Sequence, residues 1–143
     1  MNVRVALAEG RESVARCFEV MRELRTGLTD VETFVDQVIR QQGQGYRLAF
    51  VEAGGEVCAA AGFRVSENLA WGRFLYVDDL VTRAADRSRG WGKRLIDWLI
   101  AEARAAGCAE LHLDSGVQRF DAHRFYLAQR MQISSHHFAL KLT

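Results

Sequence analysis

The chain has 143 residues, of which 49% are hydrophobic and 26% charged, and its formal net charge is +1 at pH 7. This balance is that of one folded domain with a single sizeable core, and it excludes a largely disordered chain. The small net charge gives no overall attraction to nucleic acid or to an anionic membrane surface, so any anion-binding site has to be local.

The cysteines and the N-terminal residues exclude further classes of protein. Cys17, Cys58 and Cys108 are widely spaced, so the sequence predicts neither a disulfide framework nor a zinc site, and no metal is expected. The N-terminal residues lack the pattern of a signal peptide, and no run approaches the ~18 apolar residues of a membrane span. We therefore expect a single cytoplasmic domain over 1–143.

The first third of the chain predicts a strand followed by two helices. Residues 3–8 alternate enough for a short strand. Residues 11–24 place apolar side chains every three or four positions, which is the spacing of one helix face. Thr29 or Asp30 can cap a second helix, because their side-chain oxygens accept from the first free N–H groups.

The hydrophobic period then changes from helical to alternating, and later back again. The remaining predicted elements are strands over 46–52, 56–65 and 69–82, a helix over 93–107, a strand over 110–114, a helix over 119–130 and a strand over 131–142. The order β-α-α-β-β-β-α-β-α-β predicts an α/β (α+β) fold, in which a mixed, mostly antiparallel sheet carries helices on both faces.

Two glycines stand where the longest predicted helix is about to begin. Gly90 and Gly92 lie in RSRGWGKRL, residues 87–95, beside several cations. A helix N-terminus presents unpaired N–H groups, and glycine lets a phosphate approach the backbone. The segment can therefore bind a pyrophosphate, or its glycines can simply ease the turn into the helix. It has neither the Walker nor the Rossmann glycine spacing, which disfavours a nucleotide-binding domain.

The same segment resembles a family signature. Arg87-x-x-Gly90-x-Gly92 matches the [RQ]xxGx[GA] motif of the GCN5-related N-acetyltransferases (GNAT), and AHRFYLAQRM (122–131) is similar to that family's A-x-x-FY-x-x-x-G-[FM] segment. The resemblance covers roughly 46–142 and implies acetyl-coenzyme A as co-substrate. Its pyrophosphate would lie on Arg87, Ser88, Arg89, Gly90, Trp91, Gly92 and Lys93.

The strand over 69–82 breaks its alternation at Asp78-Asp79. In the family the matching strand carries a bulge, and the resemblance implies that the thioester arm pairs with backbone near Leu80, Val81 and Thr82, where a main-chain N–H polarises the carbonyl. Adjacent strand residues point to opposite faces unless a bulge intervenes. One of the two aspartates would therefore face the acceptor amine. We prefer Asp78, with two solvated strand-end charges as the alternative.

The predicted helix over 119–130 carries three further candidates. The resemblance gives Tyr126 the role of general acid towards the departing thiolate, and packing beside Phe125 is the alternative. Phe125 itself is predicted to contact the coenzyme. His123 stands where the family often has an asparagine that contacts the pantetheine arm, although a surface histidine fits equally. Arg130 replaces the family's usual glycine, so we expect an altered turn there.

The resemblance implies an enzyme that moves an acetyl group to a primary amine of a small molecule or amino-acid derivative by direct attack. YVDDLV also resembles a stretch of the diamine and thialysine acetyltransferases. A peptide or protein amine remains open as the acceptor, and a non-catalytic acyl-CoA-binding or regulatory module is the rival reading. Homodimerisation rests on analogy of fold alone.

Overall fold

The computed structural model describes residues 2–143 as a five-stranded sheet with five α-helices. The strands are β1 (Val3–Leu7), β2 (Tyr46–Ala53), β3 (Glu56–Asn68), β4 (Gly72–Thr82) and β5 (Glu110–Leu113). The helices are α1 (Gly10–Ala15), α2 (Phe18–Leu24), α3 (Val31–Gln42), α4 (Trp91–Ala105) and α5 (Phe120–Ala128), with a 3₁₀ turn at Ala84–Asp86.

The strands follow one another across the sheet in the order β1-β2-β3-β4-β5, and the first four are antiparallel to their neighbours. This confirms the predicted α/β class with a mostly antiparallel sheet. Short connections join β2 to β3 and β3 to β4, and such short turns can join only antiparallel strands.

Helices cover both faces of the sheet, and β2 contributes to both sides. Tyr46, Leu48 and Phe50 belong to the core that α1, α2 and α3 share with the sheet. Arg47 points the other way and pairs with Glu102 of α4 at 3.0 Å. Both faces are therefore buried, which is why β2 is apolar almost throughout and not alternating.

The predicted helix over 11–24 is divided in the structure into α1 and α2. The N–H of Cys17 donates to the carbonyl oxygen of Val14 (3.0 Å), three residues back, so the chain makes a tighter turn here. Cys17 is fully buried at this point. The apolar period of 3.6 residues passes through the break, so the pattern alone does not reveal it. For the next helix, Asp30 is the cap, and its side chain accepts from the N–H of Thr33 at 2.9 Å.

The predicted strand over 131–142 is wrong. The structure gives residues 131–143 no regular secondary structure, and Ile133, Phe138, Leu140 and Leu142 remain largely exposed. An alternating pattern makes a strand only where a neighbour accepts and donates the ladder hydrogen bonds, and no strand within 2–143 pairs with this segment. The final β of the predicted order is therefore absent.

The chain divides into two compact units, one ending at His112 and the other comprising Leu113–Thr143. The first contains four complete strands and four helices, and the second contains α5. One domain over 1–143 stays a prediction. Within residues 2–143, no helix has the length and apolar character needed to cross a membrane.

Candidate functional site

A β-bulge interrupts β4 at the two adjacent aspartates. Val77 lies opposite Phe63 and Asp79 opposite Gly62, so Asp78 is an extra residue with no partner on β3. The predicted bulge is thereby confirmed. Because an extra residue disturbs the strict up-and-down alternation of a strand, Asp78 and Asp79 line the same cavity and do not point to opposite faces.

That cavity has a volume of about 480 Å³ and lies within the first unit, between α2, α3 and strands β2–β4. Met21, Leu28, Phe34 and Val38 form its apolar wall. The remaining wall is polar and charged: Arg25, Gln37, Gln41, Tyr46, Arg64, Tyr76, Asp78 and Asp79. The volume is that of a small-molecule site, although most such sites are lined mainly by apolar side chains and this wall is mainly polar and charged.

Asp79 is held from two sides. The buried Tyr46 hydroxyl donates to Oδ2 at 2.8 Å, and the Arg25 Nε donates to Oδ1 at 2.9 Å. Burial, together with the negative charge of Asp79, raises the pKa of Tyr46 well above its usual value. Tyr46 therefore stays a neutral phenol and a hydrogen-bond donor at any physiological pH.

Asp78 is held by a different arginine. The Arg64 Nε donates to both carboxylate oxygens, at 2.9 and 3.2 Å, and Arg25 Nη2 donates to the main-chain oxygen of Asp78 at 2.8 Å. Burial raises the pKa of Asp78, and the hydrogen bond and charge of Arg64 partly oppose that rise. The Asp78 side chain is 21% exposed and that of Asp79 12%, so Asp78 is the more accessible carboxylate.

Gly62 makes room for this arrangement. A Cβ at position 62 would lie 1.9 Å from the Tyr46 hydroxyl oxygen and 2.3 Å from its ring carbon Cζ. The Tyr46 side chain can therefore reach Asp79 only because position 62 has no side chain. A glycine in the interior of a strand is a sign of such a close approach, and this signal in the sequence could have pointed to the site.

Sequence reasoning found the two aspartates but missed Arg25, Tyr46 and Arg64. Arg25 follows α2, whereas Tyr46 and Arg64 lie opposite each other on β2 and β3. Residues that become neighbours through strand pairing have no fixed spacing in the sequence. Only the register of β2 and β3 shows that Tyr46 and Arg64 are neighbours.

The predicted pyrophosphate segment forms a turn into α4. Gly90 is the N-cap residue with φ of 85°, no side chain caps the helix, and Ser88 also has positive φ at 72°. A Cβ on Gly90 would meet nothing within 4 Å, so the glycine is required by its backbone conformation and not by lack of space. Among the residues that the structure describes, no side chain accepts from the first N–H groups of α4, as an anion site requires.

A buried aspartate stabilises this turn through two arginines. Asp86 is 4% exposed, accepts from Arg83 Nε at 2.6 Å and forms a longer ion pair with Arg89 at 3.7 Å. The Arg83 hydrogen bond lowers the pKa of Asp86. Around it, the predicted cofactor residues lie near the surface: Arg87, Ser88, Arg89, Gly90 and Lys93 are exposed, whereas Trp91 and Gly92 are half-buried.

The predicted thioester segment Leu80–Thr82 pairs with Ala59–Ala61 of β3 on one side. On the other side, β5 begins beside Arg73, where the Ala109 N–H donates to the Arg73 oxygen at 2.8 Å. Four residues of strand span about 13 Å, whereas Leu80 lies about 23 Å along β4 from Arg73. Within residues 2–143, β5 therefore does not cover this segment.

The second unit brings three predicted residues together on α5. Tyr126 is partly buried, which raises the pKa of its phenol, and the positive charge of Arg119, with its hydrogen bond, opposes the shift. The rings of Phe125 and Tyr126 lie 5.6 Å apart. His123 Nε2 lies 2.8 Å from the Gly116 carbonyl oxygen; since a carbonyl can only accept, Nε2 carries the proton in this contact.

The turn after α5 is not altered in the way the sequence suggests. Arg130 takes up φ of 66°, the left-handed conformation that glycine favours. The Met131 N–H donates to the Tyr126 oxygen at 3.2 Å and the Arg130 N–H to the Leu127 oxygen at 3.0 Å, which is a Schellman ending. The glycine-type turn is kept, although an arginine stands in it.

Comparison with known proteins gives consistent matches. The model of the Acetyltransferase (GNAT) family matches residues 10–130. An uncharacterized N-acetyltransferase of Bacillus subtilis (strain 168), YhdJ, is 38% identical over 117 residues, covering 81% of this chain and 82% of that protein. The aminoalkylphosphonate N-acetyltransferase of Salmonella typhimurium is 28% identical over 145 residues, covering 99% of this chain and 91% of that protein.

Among solved structures, AAC(6')-Iy in complex with the bisubstrate analogue CoA-S-monomethyl-acetylneamine superposes with a TM-score of 0.84 at 12% identity. The match covers 100% of this chain and 99% of that one. At this identity the likeness is one of fold.

Proposed function

Since this chain belongs to the acetyltransferase (GNAT) family, we propose that it acetylates a primary amine of a small molecule by direct attack on the thioester of acetyl-CoA. The chain is an N-acetyltransferase, and its family uses acetyl-CoA as the donor. The proposal adds the acceptor class and the residues that act on it.

The donor would lie on backbone groups. The uncapped N-terminus of α4 supports a pyrophosphate on 87–93, since its N–H groups have no side-chain partner in the described part of the chain. The uncovered side of Leu80–Thr82 supports a thioester arm beside β4, with a main-chain N–H of Leu80 or Val81 polarising the carbonyl. By the family resemblance, His123 and Phe125 would also contact the coenzyme.

The observation that carries the acceptor proposal is the cavity of about 480 Å³ with both bulge carboxylates in its wall. This volume fits a small molecule. An amine arrives mostly as an ammonium ion, so it has to lose a proton before it can attack. Asp78 is the more accessible carboxylate and its pKa is raised, so it would take that proton, directly or through water.

In the transfer step the amine nitrogen forms a bond to the carbonyl carbon, and the carbon–sulfur bond breaks. Asp78 would pass the ammonium proton on to solvent and then accept the second proton, which the nitrogen loses as the amide forms, while the thiolate leaves with the bonding electron pair. Tyr126 would return a proton to that thiolate from its phenol. Positioning of the two substrates and polarisation of the carbonyl supply the larger share of the acceleration.

The test is a screen of amine acceptors with acetyl-CoA, in which free thiol is measured. We expect turnover with small primary amines, a loss of at least about 100-fold in kcat/KM for Asp78→Asn and a loss of about 10-fold or more for Tyr126→Phe. Glu67→Gln, an exposed carboxylate at the end of β3, is the matched control and should keep full activity. Binding of acetyl-CoA without turnover of any amine would favour the non-catalytic module, and turnover confined to peptides would favour a protein acceptor.

A further inference from the structure

The acceptor cavity contains equal numbers of positive and negative side chains. Arg25 pairs with Asp79 at 2.8 Å and Arg64 with Asp78 at 2.9 Å, so the four groups form two ion pairs. Since the other residues of the wall are neutral, the cavity as a whole carries no net charge. A site built solely to attract a cationic amine would not need two guanidinium groups beside its carboxylates.

Arg64 has donors that its carboxylate partner does not use. Its Nε alone serves Asp78, and neither Nη group has a hydrogen-bond partner within residues 2–143. The side chain is 28% exposed, and its guanidinium carbon lies 5.4 Å from the centre of the Tyr46 ring. The guanidinium is therefore held against an aromatic ring with its outer edge open, and that edge matches the two oxygens of an acid group.

Arg25 has a smaller spare capacity on the same cavity. It uses Nε and Nη2 on Asp79, and Nη2 also on the main-chain oxygen of Asp78, which leaves Nη1 without a hydrogen-bond partner within residues 2–143. The side chain is 52% exposed. Arg25 can therefore add one donor to an anion without giving up Asp79.

The charge balance discriminates between classes of amine. A diamine would bring two positive charges into a neutral, half-buried site, and one of them would face two arginines without compensation. An amine that also carries an acid group brings one charge of each sign. Its ammonium can approach Asp78 while its acid group meets the open edge of Arg64, so neutrality is kept.

We propose that the acceptor is a small amino acid or related amine with an acid group, held by Arg64 with help from Arg25, and that diamines are excluded. This inference rests on the proposed function, because it names the substrate class of the same site. Arg64 and Arg25 act here as specificity-determining residues. The acid group can be a carboxylate or a phosphonate, since both present paired oxygens to a guanidinium.

The experiment compares straight-chain primary amines of equal length that end in a carboxylate, a phosphonate, a neutral amide or a second ammonium group. We expect kcat/KM for one of the two acids to exceed that of the neutral amide by about 10- to 100-fold, the range of a charge-assisted hydrogen bond to a charged group. The ammonium compound should fall below the amide. The carboxylate and phosphonate arms show which acid is used.

Arg64→Gln is then measured with the acid and with the amide. The kcat/KM for the acid should fall towards that for the amide, chiefly because KM rises, whereas kcat/KM for the amide should fall less. Arg64→Lys should restore part of the preference for the acid. A merely structural role, in which Arg64 only holds Asp78, would lower kcat/KM for both acceptors by the same factor. Arg25→Gln, at a more exposed position, gives the same comparison with a smaller effect and serves if Arg64→Gln fails to fold.

The outcomes separate this inference from the proposed function. Equal or better turnover of the amide or the diamine by the wild type overturns the inference and leaves the acetylation of small amines standing. An unchanged acid-to-amide ratio in both arginine variants overturns it as well. No turnover of any small amine removes the proposed function and the inference together.

Discussion

The acceptor cavity and the glycine turn before α4 are built on opposite principles. The cavity depends on side chains that pair with each other, such as Tyr46 on Asp79 and Arg64 on Asp78, and on Gly62 leaving space for them. The turn depends on backbone conformation, with Gly90 at φ of 85° and open space around it. Side-chain sites fail when volume or charge changes, whereas backbone sites fail when a dihedral angle is forced.

The largest effect should come from filling the space at position 62. Gly62→Ala places a Cβ where the Tyr46 phenol lies, so the ring or β3 has to move, at a cost of about 3 kcal/mol in the free energy of unfolding. Urea denaturation measures this. Gly27→Ala is the control, because a Cβ there meets nothing within 4 Å and its φ is not positive. Equal stability of the two variants would contradict the described packing.

The next effect isolates the hydrogen bond from the volume. Tyr46→Phe keeps the ring but removes the donor to Asp79, and a lost buried hydrogen bond costs about 1 kcal/mol or somewhat more. Since Asp79 would then be held by Arg25 alone, kcat/KM should also fall. Stability and kinetics of the same preparation test both points. An unaffected variant would mean that this contact neither stabilises the cavity nor positions Asp79.

The backbone side of the comparison is tested at Gly90. Gly90→Ala forces an L residue into the left-handed region, which costs about 1 kcal/mol, and Gly90→Asn should cost less because asparagine tolerates that region better. If the turn binds the pyrophosphate, KM for acetyl-CoA should rise more in Gly90→Ala than in Gly90→Asn, while KM for the amine should change little. A rise confined to the amine would place the coenzyme elsewhere.

A substitution at Arg130 should change stability in the opposite direction for the same reason, the conformation of the backbone. Because this arginine already occupies the left-handed region, Arg130→Gly should relieve strain. The gain is offset in part by the greater entropy of glycine in the unfolded chain, so we expect a net stabilisation of about 0.5 kcal/mol. Thermal denaturation beside the wild type provides the measurement. Destabilisation would argue against the Schellman ending of α5.

The smallest effect is a shift in a pH profile. If Asp78 must be ionised to accept the proton, kcat/KM rises with pH through the pKa of Asp78, which burial holds above its usual value. Arg64 favours the ionised form and so lowers this pKa. In Arg64→Gln the acid limb should therefore move to higher pH, measured with the neutral amide acceptor in both proteins. No movement would remove either Asp78 from the proton path or Arg64 from its control.

The sequence predicted most of the fold because most of its signals are local. Apolar periodicity marked α3 and α4, the alternation break marked the bulge at Asp78, and Asp30 proved to be a cap. The predictions of secondary structure failed where contacts with residues far away in the sequence determine the conformation. The helix over 11–24 is interrupted at Cys17, where the side chain is buried in the core. Residues 131–142 form no strand because no strand within 2–143 pairs with them.

The candidate site divides in the same way. The contiguous motif over 87–93 and the adjacent pair Asp78-Asp79 could be found by reading along the chain, and the family resemblance they carry is confirmed. Arg25, Tyr46 and Arg64 could not, because they have no common motif or spacing.

By itself the sequence determined most of the element types, the glycine turn and the family, since each depends on residues close together along the chain. Only the tertiary structure decided that both aspartates share one cavity, that each is paired with an arginine, and that Gly62 admits the Tyr46 ring. The physical reason is strand register: one extra residue at the bulge sets which side chains face each other, and pairing across strands brings together residues that no local pattern connects.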